Sequence, residues 1–139
     1  MWNCSTVEWI DIESTSYCNL KCPGCLRQQL GTRVKPYLNK EKLDLDLLRS
    51  RITKDIFPNL KNLSFCGTID EPISHPQIME IAEWVTSMGV HLNINTNGSL
   101  RTPKWWRSLG TFLAPYPHSI FFGIDGVGEL SERYRIGSD

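Results

Sequence analysis

The sequence predicts an α/β fold built on a parallel sheet, because segments typical of strands alternate with segments typical of helices along the whole chain. Four strand-to-helix cycles are present, and parallel strands of this kind are joined by right-handed crossovers. A chain of 139 residues holds about four βα units, whereas a closed eight-unit barrel takes about 250 residues. We therefore expect a single domain over residues 1–139 that forms part of a parallel (β/α) barrel.

The first half of the chain predicts two strands and one helix. Residues 7–12 are rich in β-branched and aromatic side chains and predict the first strand. After a loop that contains Gly31, residues 39–51 predict a helix that Asn39 caps. Residues 60–66 predict the second strand. The apolar positions of the helix are Leu43, Leu47 and Leu48.

A second helix follows, because Ser74 and Gln77 have the spacing of a capping box and Gly89 marks an end. Residues 90–95 alternate in polarity and predict the third strand. The apolar stripe of the helix consists of Ile78, Ile81, Ala82, Val85 and Met88.

The Asn-Gly pair at residues 97–98 is typical of a hairpin turn, but it also fits a strand-to-helix loop. Thr102 and Pro103 are a good cap and first residue for a third helix, which favours the loop. Residues 120–124 predict the fourth strand. The sequence therefore predicts four parallel strands.

The composition excludes several function classes. The 15 basic residues balance the 15 acidic ones and do not cluster, which argues against a general nucleic-acid binder. No apolar run approaches the roughly 20 residues that span a bilayer, and the first residues do not resemble a secretory signal. We expect a cytoplasmic protein that binds neither membrane nor nucleic acid.

Three of the five cysteines form a compact group with the spacing C-x3-C-x2-C: Cys18, Cys22 and Cys25. Without an export signal, metal or cluster ligation explains this group better than disulfides do. A structural zinc site needs a fourth ligand, for which Cys66 or His75 is a candidate. A cubane iron–sulfur cluster on three cysteines instead leaves one iron open for a small molecule.

Other polar and charged residues suited to binding or catalysis follow the remaining strands. Asp70 and Glu71 come after the second strand, Asn95 ends the third, and Asp125 follows the fourth. The carboxyl ends of parallel strands lie at one edge of a sheet, where α/β folds place their sites. We therefore expect these side chains and the cysteines to share one rim.

The cysteine loop resembles the signature of the radical S-adenosylmethionine (SAM) superfamily, and three later stretches match in the same order. Residues 65–72 resemble the family's Gly-Gly-Glu-Pro segment, residues 95–98 its Thr-Asn-Gly, and residues 123–126 its Ser-x-Asp-Gly. The resemblance covers residues 7–135. It implies the first four βα units of a partial barrel of about six units.

The resemblance implies an oxidoreductase-type enzyme that holds a [4Fe-4S] cluster on Cys18, Cys22 and Cys25. Such an enzyme binds SAM and, given an electron from a reductant such as flavodoxin or ferredoxin, cleaves it to a 5′-deoxyadenosyl radical. The SAM amino group is expected near Glu71 and the carboxylate near Arg135. The substrate is not assigned. The other residues that the resemblance places in the cofactor site are Gly24, Gly67, Asp70, Asn95 and Asp125.

The sequence departs from the family at three positions. Gly24 stands where many members have an aromatic residue, Gly123 replaces the usual serine, and Asp70 replaces the second glycine of the acidic segment. We expect the Asp70 side chain to point to solvent.

Two alternatives stay open. One is a truncated, non-catalytic module that binds a cluster or SAM, or half of a split enzyme. The other is a zinc-stabilised interaction domain. Because four strands cannot close a barrel, we expect the outer strand over residues 120–124 to associate with a second chain or with another copy.

Overall fold

The computed structural model describes residues 3–29 and 33–138, so that Gly31 of the first loop lies outside the described residues. Four parallel strands form one sheet in the order β1-β2-β3-β4, as the alternation of strand and helix predicts. Each is followed by a helix in the chain. The strands are β1 (Trp9–Ile12), β2 (Asn62–Phe65), β3 (His91–Thr96) and β4 (Ser119–Phe122), and the helices are α1 (Leu45–Arg51), α2 (Ile78–Ser87), α3 (Pro103–Leu113) and α4 (Glu129–Tyr134).

The register aligns the two central strands residue for residue, with Leu63 beside Leu92 and Phe65 beside Ile94. All four side chains are fully buried, as is usual for a parallel sheet covered by helices. The predicted stripe of α2 packs on this layer, and Ile81, which belongs to the stripe, is also fully buried. One continuous apolar core therefore joins the sheet to α1, α2 and α3.

The first helix begins later than the sequence predicts. Its cap is Asp44, whose Oδ1 accepts the Leu47 N–H at 2.8 Å, and Asn39 caps nothing. Residues 39–43 are instead held along the start of the cysteine loop, where the Leu43 N–H donates to the Ser14 carbonyl at 2.9 Å. Leu47, one of the predicted apolar positions of this helix, is 50% exposed, whereas Leu48 is buried.

The capping box predicted for the second helix does not form. The Gln77 N–H, which a box would join to Ser74, donates to Nδ1 of the buried His75 at 3.1 Å. Ser74 lies in a separate 3-10 turn, Pro72–Ser74, and α2 begins after Gln77 without a side-chain cap. The helix still ends as predicted at Gly89, whose φ is +65°.

The loop after β3 leads to a helix, as Thr102 and Pro103 predict. Thr102 Oγ1 accepts the Trp105 N–H at 3.2 Å, and Pro103 is the first helical residue. The hairpin alternative is wrong, because β3 and β4 are parallel.

Two features lie outside the sequence predictions. Helix α4 has no buried residue, and a two-residue antiparallel ribbon pairs Gln28–Gln29 with Arg33–Val34. Neither has an apolar periodicity that reveals it in the sequence. Of the helices that the structure describes, none is long and apolar enough to cross a membrane.

Candidate cofactor-binding cleft

A cleft of about 370 Å³ lies beyond the carboxyl ends of the strands, where the fold places ligand sites. The loops after all four strands contribute to it. Of the predicted site residues, the cleft brings together Cys18, Cys22, Cys25, Gly67, Asp70, Glu71, Asn95, Asp125 and Arg135. Gly24 is the predicted residue that does not line it.

The cysteine loop is shaped by its own backbone. The Cys25 N–H donates to the Cys22 carbonyl at 3.0 Å, which folds the last two cysteines into a turn. Two further N–H groups, of Leu20 and Arg27, reach sulfur atoms of the loop at 3.4 Å. The Leu20 contact acts to lower the pKa of the Cys18 thiol. All three thiols are free and partly buried, so they are available as ligands.

Burial raises the pKa of the Cys18 and Cys22 thiols above the ordinary value. Positive charge acts in the opposite direction, from Arg27 on Cys18 and from Arg135 on Cys22. Both arginines line the same cleft. The thiols therefore lie in a partly desolvated site whose cations favour a bound anion.

The donor set fits a group that takes three thiolates and leaves one position open. Among residues 3–29 and 33–138, no three His, Cys, Asp or Glu side chains converge closely enough for a single metal ion. Both candidates for a fourth zinc ligand form hydrogen bonds outside the cysteine loop. The Cys66 thiol donates to the Glu13 carboxylate, and the His75 ring is hydrogen-bonded to the Leu43 carbonyl and the Gln77 N–H. Three thiolates without a fourth protein ligand would leave one iron of a four-iron cluster open.

Glu71 is 2% exposed, and its carboxylate joins the loop after β2 to the loop after β3 by hydrogen bonds. Its Oε1 accepts the Thr96 hydroxyl at 2.5 Å and the Ile73 N–H at 3.2 Å, and its Oε2 accepts the Asn97 N–H at 2.7 Å. Burial raises its pKa, and these hydrogen bonds oppose the rise. A carboxylate has about four acceptor positions, so about one is left for a ligand.

The expectation that Asp70 points to solvent is wrong. Its side chain is 5% exposed, and Oδ2 accepts the Ser14 N–H and hydroxyl at 2.8 Å and the Thr15 N–H at 3.1 Å. The other oxygen, Oδ1, is buried without a partner among the described residues. Burial raises the pKa of Asp70 to about 7, and the negative charge of Glu13 adds to the rise.

Glu13, which the sequence analysis did not single out, organises the loop after β2. Its carboxylate accepts the N–H groups of Thr68, Ile69 and Asp70 at 2.9 to 3.1 Å, and the Cys66 thiol at 3.0 Å. Burial acts to raise its pKa, but these hydrogen bonds together hold the pKa below its ordinary value. Glu13 thus stays ionised beside Asp70.

Two glycines that depart from the resembled pattern, Gly24 and Gly123, lie close to side chains from the end of α4. A Cβ on Gly123 would lie 2.8 Å from Nη2 of Arg135, which forms an ion pair with Asp125 at 2.6 Å. A Cβ on Gly24 would lie 2.9 Å from the Tyr134 hydroxyl. Each glycine therefore leaves room for a side chain from the end of the described chain, and both of those side chains line the cleft.

The chain is 35% identical over 134 residues to the tungsten-containing aldehyde ferredoxin oxidoreductase cofactor-modifying protein of Pyrococcus furiosus. That match covers 94% of this chain and 34% of the relative. No protein-family model matches the chain.

The fold is shared with the solved structure of native anSMEcpe with bound AdoMet. The TM-score is 0.62 at 22% sequence identity, over 92% of this chain and 35% of that one. The chain thus spans about a third of the length of each protein. At this identity the likeness concerns the fold.

Several cleft residues were missed or given another role in the sequence analysis. Asn97, interpreted as turn chemistry, donates from Nδ2 to Cys18 Sγ at 3.6 Å and to Asn19 Oδ1 at 3.1 Å. Arg27 and Tyr134 were not singled out, although both line the cleft. Position directly after a strand was the available signal for Asn97. No sequence signal pointed to Tyr134, which approaches from α4.

Proposed function

We propose that the chain is the part of a radical SAM enzyme that holds a [4Fe-4S] cluster on Cys18, Cys22 and Cys25 and binds SAM beside it. One observation carries the proposal: three free thiols from one loop share a cleft with Glu71 from the loop after β2 and Arg135 from the end of α4. The bound cofactors would supply reductive cleavage of SAM, and the protein would supply orientation and exclusion of water.

Arg135 is the residue we assign to the SAM carboxylate. Its planar fork suits a carboxylate, and it already holds one, that of Asp125, at 2.6 Å. Its Nε is buried without a partner among the described residues, so donor capacity remains. The ammonium group of SAM is assigned to the remaining acceptor position of Glu71.

Aromatic side chains form the apolar part of the cleft and suit the adenosyl portion of SAM. Phe121, Phe122 and Tyr134 all line it and are all exposed. The cleft volume of about 370 Å³ lies within the range of small-molecule sites, about 300–1,000 Å³. These side chains would exclude water from one side of the bound molecule.

The name of the Pyrococcus furiosus relative refers to modification of a cofactor, and we propose that this chain contributes to a reaction of that class. A flavodoxin or a ferredoxin would supply the electron. Because the chain spans about a third of the relative, the substrate pocket is assigned to other strands.

We also propose that the outer strand β4 pairs with a further polypeptide segment that extends the sheet toward a six-unit partial barrel. In the described residues β4 has one neighbour, β3, and the side chains that follow it are apolar and exposed, Ile124 and Val127 among them. An unpaired strand edge with an apolar flank favours such association. Light scattering should therefore show the isolated chain as a dimer or higher oligomer. A monodisperse monomer that couples SAM cleavage to product formation would contradict this.

Anaerobic reconstitution followed by iron and sulfide analysis tests the cluster. We expect about four irons and four sulfides per chain in the wild type, and none in the Cys18→Ala/Cys22→Ala/Cys25→Ala variant. Cys4→Ala and Cys66→Ala are matched controls that should retain the cluster, because neither residue lines the cleft. Stoichiometric zinc without iron in the wild type would establish the zinc-stabilised domain instead.

A further inference from the structure

Arg27 is a buried cation at the wall of the cleft. It lies two residues after Cys25, and its side chain is 4% exposed. Its Nη1 donates to the Ser16 carbonyl at 2.5 Å and to the Ile69 carbonyl. These contacts hold the guanidinium between the cysteine loop and the loop after β2.

No carboxylate neutralises this charge in the described part of the chain. The ion pairs found there join Arg49 to Asp46, Lys61 to Glu8, Arg133 to Glu129 and Arg135 to Asp125. Arg27 belongs to none of them, and its Nε is buried without an acceptor. A guanidinium stays protonated, so its burial without a counter-charge is costly.

The cleft supplies the missing negative charge when it is occupied. Three thiolates on an oxidised [4Fe-4S] core, whose own charge is about +2, would leave a net charge of about −1, and the thiols of Cys18, Cys22 and Cys25 line the same cleft as Arg27. The other arginine of the cleft, Arg135, has Asp125 as its carboxylate partner. Arg27 is thus the cleft arginine without a carboxylate partner among the described residues.

We propose that Arg27 is the buried counter-charge of the iron–sulfur cluster and that it raises the reduction potential of that cluster. This inference rests on the proposed function. Reduction adds one electron, and with it one negative charge, to the cluster, and a fixed cation nearby stabilises that added charge. Arg27 is therefore a positioning and tuning residue that does not need to contact the substrate.

The test is a potentiometric titration of the anaerobically reconstituted chain, with dithionite as the one-electron donor and electron paramagnetic resonance as the readout. We expect the midpoint of Arg27→Gln to shift to lower potential, and Arg27→Lys, which keeps the charge, to recover part of that shift. Arg107→Gln removes one charge from an exposed position on α3 and should leave the midpoint within experimental error of wild type.

Three results would overturn the inference. The first is an Arg27→Gln variant that retains its iron with an unchanged midpoint and unchanged SAM binding. The second is an Arg27→Lys variant that is folded by circular dichroism but holds no iron. A positive charge would then be insufficient to retain the cluster, and the hydrogen bonds of Arg27 to the Ser16 and Ile69 carbonyls would be its essential contribution. The third is an unchanged midpoint with weakened SAM binding, which would assign Arg27 to the SAM carboxylate. Absence of any cluster in the wild type would refute the proposed function itself.

Discussion

In the middle of the sheet the buried neighbour pairs are uncharged, as at Leu63 and Leu92 and at the polar pair Ser64 and Asn93, whereas at the carboxyl edge the chain buries the ionisable residues Arg27, Asp70 and Glu71. The middle gains free energy from area removed from water. At the edge, desolvation of ionisable groups costs free energy, and hydrogen bonds to these groups offset part of that cost. Both layers are buried, and they differ in chemistry: the middle is largely apolar and stabilises the fold, whereas the edge carries ionisable groups that line the cleft.

The largest expected effect belongs to the apolar layer. Leu92→Ala should lower the free energy of unfolding by about 2–5 kcal/mol, because it leaves a cavity in a closely packed core. Leu47→Ala is the matched control, since Leu47 is half exposed, and should change stability by less than about 0.5 kcal/mol. Urea unfolding of both variants measures the difference. Equal losses would remove the distinction between the two positions.

At the edge, Glu71→Gln should weaken SAM binding by about tenfold or more, the equivalent of about 1.5–3 kcal/mol for a charge-assisted hydrogen bond. Anaerobic calorimetry on the cluster-loaded chain measures the affinity. Glu129→Gln removes an exposed carboxylate from α4 and serves as the control. An unchanged affinity in Glu71→Gln would leave Glu71 with only its role of joining two loops.

Asp70 should make stability depend on pH. Its folded-state pKa, about 7, lies above its ordinary value of 3.8, so the folded chain binds the proton more tightly. Between these values, stability should fall as pH rises, by at most about 1.4 kcal/mol for each pH unit, and level off above about pH 7. Urea unfolding between pH 5 and pH 8 should show this slope in the wild type. Asp70→Asn should reduce it, and an identical slope in the variant would contradict the assignment.

The smallest expected effects distinguish two glycines. Gly123→Ala should move the Arg135 guanidinium, the end of a flexible side chain, and weaken SAM binding severalfold with little change in stability. Gly110→Ala lies in α3 with open space around the new Cβ, and should raise the free energy of unfolding by about 0.5–1 kcal/mol. Calorimetry and urea unfolding of both variants check the pair. Unchanged SAM binding in Gly123→Ala would show that the new Cβ does not displace the Arg135 guanidinium.

Much of the architecture followed from local patterns. The four strands lie within about two residues of the predicted ranges, and Gly89, Thr102 and Pro103 end or begin helices as predicted. The gathering of the cysteines with Glu71, Asn95 and Asp125 followed from one rule, that parallel strands present their carboxyl ends at one edge. These features depend on periodicity, turn chemistry and topology, all of which the sequence contains.

Tertiary structure alone decided which polar groups are buried and what they contact. The donors to Asp70 come from Ser14, 56 residues away, and Glu13 reaches equally far to the loop after β2. The start of α1 at Leu45 and the burial of Arg27 likewise depend on segments distant in the chain. A hydrogen bond between remote segments has no signature in the spacing of neighbouring residues, because it exists only once the sheet has brought the two loops together.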